Sequence, residues 1–318
     1  MHAQNQYDER KANKLVKSIS DYVKMVTLMS IPNVLFSHRQ SQKSEIEIFE
    51  LAALAQRSSN LEQNPQHPHR INFFMLILIE QGTGYHMVDF VKHPFAPGSL
   101  IFIQREQVHC FDFSNHPQGK VLIFTQAFLD QVHSNMHLPN YTPTHLNSHH
   151  SPLFTLDEES YRRVVTLIKE IMVEQTDQHQ EPLIVMYLFS ALALQLRKQN
   201  RDTQNSKLSQ EQSKKLDQFF SLLQHHYLQN RDATWYANQI NITYKTLNQV
   251  CKSSTGLTAK QMVDAFVILE IKRQLVIRKV SSQQIAYEFG FDDASNFVKY
   301  FKKMTNLTPS QFQQKYTY

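Results

Sequence analysis

Sixteen histidines give this 318-residue chain most of its capacity to exchange protons near neutral pH, and fourteen of them precede residue 209. His67-Pro68-His69 has the spacing with which a metal site can begin. A metal needs neutral or anionic donors around it, yet Arg70 follows directly and no carboxylate comes before Glu80. No metal or other cofactor is therefore expected. Arg70 offers different chemistry, because a planar guanidinium among apolar strands suits a carboxylate held through two hydrogen bonds. The arrangement this predicts is an organic or aromatic acid clamped by Arg70, with His69, His86 and His109 supplying hydrogen bonds and Phe74 and Phe111 stacking. The competing arrangement pairs Arg70 with an internal acid such as Glu80 or Asp89, and both stand on sequence grounds. Other histidines, such as His145, His149 and His150, read as polar loop residues. No nucleophile stands beside a base and no Gly-rich phosphate loop is present, so enzymatic work is not expected.

These residues need elements to hold them. Length predicts two domains, and 41% hydrophobic with 19% charged residues, 6 Gly and 11 Pro exclude a collagen-like or low-complexity chain. Short apolar runs (Glu47 to Leu51, Phe73 to Ile79, Ser99 to Ile103, Val108 to Phe113, Val121 to Phe124) are separated by turn formers such as Gly82-Thr83-Gly84 and Ala96-Pro97-Gly98. That spacing predicts a sandwich or small barrel. From Asp157 to Gln175 the period changes, with Tyr161, Val164, Val165, Ile168, Ile171 and Met172 on one helical face. Leu183 to Leu196 is apolar almost all round, which reads as a core helix or half of a subunit interface. Cys110 and Cys251 are too far apart to read as a disulfide framework, so a reducing compartment is the default. The longest apolar stretch near the front, Phe73 to Ile79, is far short of the roughly 20 residues that span a bilayer. Met1 to Lys24 reads as neither signal nor anchor. A cytoplasmic protein with no membrane association is expected.

The net charge of +5 is unevenly spread. Residues 209–318 hold 14 Lys and Arg against 8 Asp and Glu, a net of +6, which leaves −1 for the rest. A basic module attached to a neutral one points to a polyanion partner. Arg197 to Lys207 contains no apolar residue and reads as the connection, with its boundaries set at 201–208. Beyond it, Ser209-Gln212, Thr258-Gln261, Ser281-Gln284 and Thr308-Gln311 each match the capping-box pattern, which predicts an all-α domain. That domain repeats itself. Ala237, Ile240, Asn241, Ile242 and Thr243 match Ala286, Phe289, Gly290, Phe291 and Asp292, and after an insertion Leu247, Cys251, Lys252, Gly256 and Thr258 match Phe297, Phe301, Lys302, Asn306 and Thr308. Each copy reads as a helix-turn-helix, in which a small residue lets two helices cross closely. The helix between the copies, about Ala259 to Arg278, is roughly 30 Å long, close to the ~34 Å that separates successive major-groove faces of a duplex.

At this point the chain resembles the AraC/XylS transcriptional regulators. The resemblance lies in Leu269-Glu270-Ile271-Lys272-Arg273-Gln274-Leu275, Ile285-Ala286-Tyr287-Glu288-Phe289-Gly290-Phe291, Asn296-Phe297, Phe301-Lys302-Lys303 and Thr308-Pro309-Ser310-Gln311-Phe312. It implies a seven-helix DNA-binding domain whose first recognition helix presents Tyr244, Lys245, Asn248 and Gln249 to base edges. The second would present Ala294, Ser295, Asn296 and Lys299. Asn and Gln pair with adenine and Lys donates to guanine, while Lys252, Lys302 and Lys303 would hold phosphates. Departures are Gln249 and Lys299 where family members often carry arginine, Phe266 where a basic residue is common, and Asn306 in place of a Gly. Asn tolerates the left-handed conformation such a helix end needs.

The stretches Pro68 to Phe74, Gly82 to Phe90, Pro97 to Leu100 and Gln107 to His109 are similar to the family's cupin-like sensor. This implies a barrel whose mouth binds a small effector, followed by two dimerisation helices at about 157–175 and 183–198. The expected fold is thus α+β and multidomain: a polar leader (1–44), a cupin-like effector-binding and dimerisation domain (45–200), a linker (201–208) and an all-α DNA-binding domain with two helix-turn-helix units (209–318). The expected function is that of a sequence-specific transcription regulator under effector control. Its expected partners are double-stranded DNA, a small-molecule effector, RNA polymerase and a second copy in a homodimer. The alternative is a metal-dependent cupin enzyme fused to a DNA-tethering domain.

Overall fold

The computed structural model describes residues 33–36, 45–57, 64–136, 152–177, 181–203, 208–277 and 280–316. The chain divides into two compact units, whose boundary falls between Glu270 and Ile271. Most of the polar leader lies outside the described residues. Its Asn33–Val34 (β1), however, pairs in parallel with His69–Ile71 (β3).

The remaining strands are Ile46–Glu50 (β2), Phe74–Gln81 (β4), Gly84–Val88 (β5), Val91–Phe95 (β6), Ser99–Ile103 (β7), Val108–Phe111 (β8), Gln118–Phe124 (β9) and Leu153–Thr155 (β10). They form two five-stranded sheets, ordered β1-β3-β8-β5-β6 and β10-β7-β4-β9-β2. β4 shows why a strand can read as an unbroken apolar run. Its Met75, Ile77 and Ile79 face the interior of the sandwich with Ile71, Val88 and Phe111 of the opposite sheet. Phe74, Leu76 and Leu78 face away, against the helices. Both faces are buried, so alternation vanishes from the sequence. The β4 pairing shifts register between Ile79 and Gln81, and beside this bulge a Cβ on Gly119 would collide with the Leu78 carbonyl oxygen.

Among the described residues, four helices belong to this part: Leu51–Arg57 (α1), Gln126–Met136 (α2), Glu158–Thr176 (α3) and Pro182–Thr203 (α4). The strand expected to reach Leu51 ends one residue earlier, where the Ala-rich Leu51–Arg57 turns helical. Asp157 caps α3 by accepting from the Ser160 N–H, and Glu158 and Glu159 favour its positive end. Val164, Ile168 and Ile171 of α3 join Val185, Met186, Phe189 and Leu192 of α4 on the outer face of the second sheet. β2 is the edge of that sheet, and α3 closes it: Gln175 Oε1 accepts from the Ile48 N–H at 3.2 Å and Gln175 Nε2 donates to the Ile46 carbonyl at 2.8 Å. α4 continues through Arg197–Thr203, into the polar stretch read as the connection; 204–207 lie outside the described residues.

Seven helices follow: Gln210–His226 (α5), Ala233–Gln239 (α6), Tyr244–Thr255 (α7), Ala259–Ile277 (α8), Ser282–Glu288 (α9), Ala294–Thr305 (α10) and Pro309–Tyr316 (α11). Ser209 and Gln212 form a reciprocal capping box, as do Thr258 with Gln261 and Thr308 with Gln311. At α9 only half of the box is made: Ser281 accepts from the Gln284 N–H, while the Gln284 amide turns to Glu288.

Candidate nucleic-acid interface and sensor site

Both copies of the repeat build the same turn. Ala237 and Ala286 are fully buried, and their carbonyls accept from the Ile242 and Phe291 N–H groups at 3.1 and 2.9 Å. Asn241 and Gly290 take the left-handed conformation there, at φ 55° and 71°. The second helices are capped by Thr243 and by Asp293. The sequence alignment pairs Thr243 with Asp292, so the inserted residue lies before the cap rather than after it. Leu247 and Cys251 of α7 are buried, as are Phe297 and Phe301 of α10, and these fix which side of each helix faces outward. Gly256 and Asn306 end the two helices in the left-handed conformation, at φ 74° and 61°, as expected of Asn306.

On the outward side of α7, Tyr244, Lys245, Gln249 and Lys252 are exposed. Asn248 is half-buried, and its Oδ1 accepts from the Ala259 N–H at 2.9 Å, so its amide oxygen caps α8 instead of standing free for a base. On α10, Ser295, Asn296, Lys299, Lys302 and Lys303 are exposed and Ala294 is half-buried. Asn296 Nδ2 donates to Asp293 Oδ2 at 2.6 Å, which fixes its side chain over the cap. None of Lys245, Lys252, Lys299, Lys302 and Lys303 forms an ion pair among the described residues. Five cations on two short, acid-free helices are left for an external anion. Phe266, the noted departure in α8, is buried.

In the sandwich the strand pleat divides the expected ligand site. His69 stands opposite His109, His109 opposite Val88, and His86 opposite Phe111, so these side chains share the interior face of the first sheet. Ring centroids are 4.1 Å apart for His69 and His109, 5.4 Å for His86 and His109, and 4.6 Å for His86 and Phe111. Arg70 follows His69 on the same strand and must point to the other face. There its Nη1 pairs with Glu106 Oε2 at 2.7 Å, so neither the clamp nor the Glu80 or Asp89 pairing forms. Asp89 is taken by the Val108 N–H and the Gln107 amide. Phe74 is likewise absent from the histidine cluster, packing against Phe102 and Phe124 on the helix side; Phe73 faces the interior instead.

Burial lowers the imidazole pKa values, that of His69 to about 4 and that of His86 to about 3; nearby His69 and His93 add to the effect at His86. His109 is held well below its ordinary value by burial and then by His69 and His86. All three are neutral at pH 7. His69 Nδ1 donates to the His67 carbonyl at 3.0 Å, but both ring nitrogens of His86 and of His109 are buried without a partner among the described residues. Each such group left unpaired costs about 1–3 kcal/mol. Sequence reading missed Glu47, whose buried Oε2 also has no partner among the described residues. The signal was a single charge inside the apolar run Ile46-Glu47-Ile48-Phe49. No group of three or more metal-capable side chains is arranged to hold an ion among the described residues, and no described helix is long and apolar enough to cross a membrane.

Comparison with known proteins covers both parts of the chain. The profile of the AraC-like ligand binding domain matches residues 50–192 and that of a helix-turn-helix domain matches residues 236–315. The HTH-type transcriptional activator RhaS of Shigella sonnei is 22% identical over 254 residues, 79% of this chain and 87% of the relative, and RhaS of Escherichia coli matches equally. Among solved structures, ToxT from Vibrio cholerae O395 aligns at 12% identity and a TM-score of 0.43, covering 86% of this chain and 99% of that one. These relatives give no support to the alternative of a metal-dependent enzyme tethered to DNA. With a sensor profile over the sandwich and a helix-turn-helix profile over the repeat, the chain belongs to the AraC/XylS family of transcription regulators.

Proposed function

We propose that this protein is a sequence-specific regulator of transcription that grips duplex DNA with α7 and α10 and answers to a small ligand held between its two sheets. The observation that carries this reading is the duplicated turn, with its shared buried alanines, left-handed residues and five unpaired lysines. Lys252, Lys302 and Lys303 hold phosphates. Lys245, Gln249, Ser295, Asn296 and Lys299 read base edges, with Tyr244 and Ala294 supplying apolar contact. Asn248 acts through α8, which it caps.

The protein works in the cytoplasm as a homodimer and recruits or contacts RNA polymerase. Leu183, Tyr187 and Leu194, spaced four and seven apart on α4, are 52%, 61% and 44% exposed, an apolar stripe that a second copy would cover. Gln175 ties the sensing sandwich to the same helical layer through both of its hydrogen bonds to β2. Footprinting on DNA from around its own gene tests the reading. A protected site should lose affinity linearly on a log–log plot against salt, and Lys302→Ala should reduce the slope by about 1. Binding that ignores sequence and persists at high salt overturns it.

A further inference from the structure

The two ends of α10 carry opposite charge. Asp292 and Asp293 stand at its N-terminus and Lys302 and Lys303 in its last turn, all four exposed. Phosphates are repelled from the first end and drawn to the second, so the first turn is the part of α10 free to stand over base edges. Asn296 belongs to that turn and is exposed. Asp293 holds it twice. One carboxylate oxygen, Oδ1, accepts from the Asn296 backbone N–H at 2.7 Å, which is the capping bond, and the other, Oδ2, accepts from the Asn296 side-chain Nδ2 at 2.6 Å.

The second bond fixes more than a position. An ionised carboxylate accepts hydrogen bonds and has none to donate, so the amide must turn its NH2 group, and never Oδ1, toward Asp293. Oδ1 and the second N–H are left for a base. Adenine is the base whose major-groove edge takes one donor and one acceptor from a side-chain amide, at N7 and N6. The first recognition helix has the same pair of positions in a different chemistry. Thr243 caps α7 by accepting from the Thr246 N–H at 3.1 Å, and its hydroxyl meets the Thr246 hydroxyl at 2.9 Å. Either hydroxyl can be the donor there, so the exposed Thr246 presents no fixed polarity.

We propose that Asp293 is a positioning residue for base readout: by holding the Asn296 amide in one of its two orientations, it makes α10 select adenine at a single base pair. This rests on the reading of Asn296 as a base-contacting residue and adds what sets its preference.

The test uses the full chain and a pool of randomised duplexes, with single-position variants of the best selected duplex then ranked by titration. Wild type should favour adenine at one position by roughly ten- to a hundredfold. Asn296→Ala should abolish that preference and leave the other positions unchanged. Asp293→Ser keeps a capping oxygen but loses the second acceptor, so the melting temperature should hold while the adenine preference falls to a few-fold. Asp293→Asn should go further: its oxygen takes the capping bond and its NH2 replaces Oδ2, so Asn296 turns Oδ1 inward and offers only donors outward. The preferred base at that position should change from adenine to guanine, whose edge carries two acceptors. Adenine preference that survives both Asp293 variants overturns the proposal. A preference lost in those variants but kept in Asn296→Ala also overturns it, by making Asp293 itself the reader. Affinity lost alike for every duplex in Asp293→Ser would reduce the residue to a helix cap. Wild type that selects no sequence refutes the DNA-reading function and the proposal with it, whereas a selected sequence that Asn296→Ala binds with the same preferences refutes the roles of Asn296 and Asp293 alone.

Discussion

Lowering the pH from 6.5 to 5.5 should destabilise the sandwich by about 3 kcal/mol through three histidines alone. His69 and His86 titrate at about 4 and about 3 in the folded protein, and His109 well below its ordinary 6.5. In the unfolded chain they regain the ordinary value, so as pH falls below 6.5 the unfolded state takes up protons first. Stability is therefore complete well above pH 6.5 and drains away toward the folded values. Each histidine contributes about 1 kcal/mol between pH 6.5 and 5.5, because the unfolded imidazole is already half protonated at the start of that window. Three together remove a large part of the 5–15 kcal/mol typical of a domain. The groups that face them are His93, itself half-buried with a lowered pKa, and Asp89, which opposes that lowering at His93. Trp235 is the only tryptophan and lies in α6, so its fluorescence does not report on the sandwich. Hydrogen exchange resolved to peptides spanning β3, β5 and β8 does, once corrected for the intrinsic pH dependence of exchange. His109→Leu should reduce the slope by about a third and stabilise the sheet at pH 7.5, because two orphaned nitrogens leave with the ring. An opening free energy that changes by less than about 1 kcal/mol across the pH unit would refute the reasoning.

Three further outcomes test other parts of the structure. Asn248→Ala removes the acceptor at the start of α8 and should cost about 1 kcal/mol in a thermal melt, with DNA affinity falling alike for all sequences; a loss confined to one base pair would make Asn248 a reader instead. Gln175→Leu strips two hydrogen bonds from the β2 edge and should cost about 2 kcal/mol, with faster exchange at Ile48, whereas unchanged exchange would show the edge to be held by something else. Tyr187→Glu with Leu194→Glu should convert a dimer to monomers in sedimentation velocity without lowering the melting temperature; a dimer that persists rules out the α4 stripe as its interface.

Much of the DNA-binding part was legible because its signals are local. Capping residues, a buried alanine and a left-handed turn position are each set by a few neighbouring residues, so two copies of the pattern identify one another. Asn306 could be read as a helix end from its type alone. The position of the insertion could not, because Asp292 and Asp293 are equally good caps and only the folded turn selects the second. The sandwich was legible as strands and not as faces. β4 is apolar on both sides, so nothing in the sequence says whether Phe73 or Phe74 looks inward. The Arg70 clamp failed for a reason that was available: adjacent residues of a strand cannot share a face, so His69 and Arg70 could never converge on one small ligand. Glu106, the true partner, arrives from a turn whose geometry is tertiary.

One strand stands between the sensor and the helices. Alternate side chains of β2 serve opposite layers: Ile46 and Ile48 pack with α3 and α4, while Glu47 and Phe49 face the interior. The backbone around Glu47 is held on its open edge by Gln175 of α3 and on the other by β9. A ligand that displaces β2 would therefore have to stretch the Gln175 bonds, carry α3 with it, or release the strand. Packed interiors do not deform continuously, so the response is a switch between discrete arrangements rather than a graded bend. Because α3 packs along α4, any of these outcomes alters the layer that carries the exposed Leu183, Tyr187 and Leu194 stripe. Gln175→Leu should consequently leave ligand affinity close to that of the wild type while abolishing the ligand's effect on dimer dissociation. A variant that loses both together would place Gln175 in the binding site and not on the route out of it.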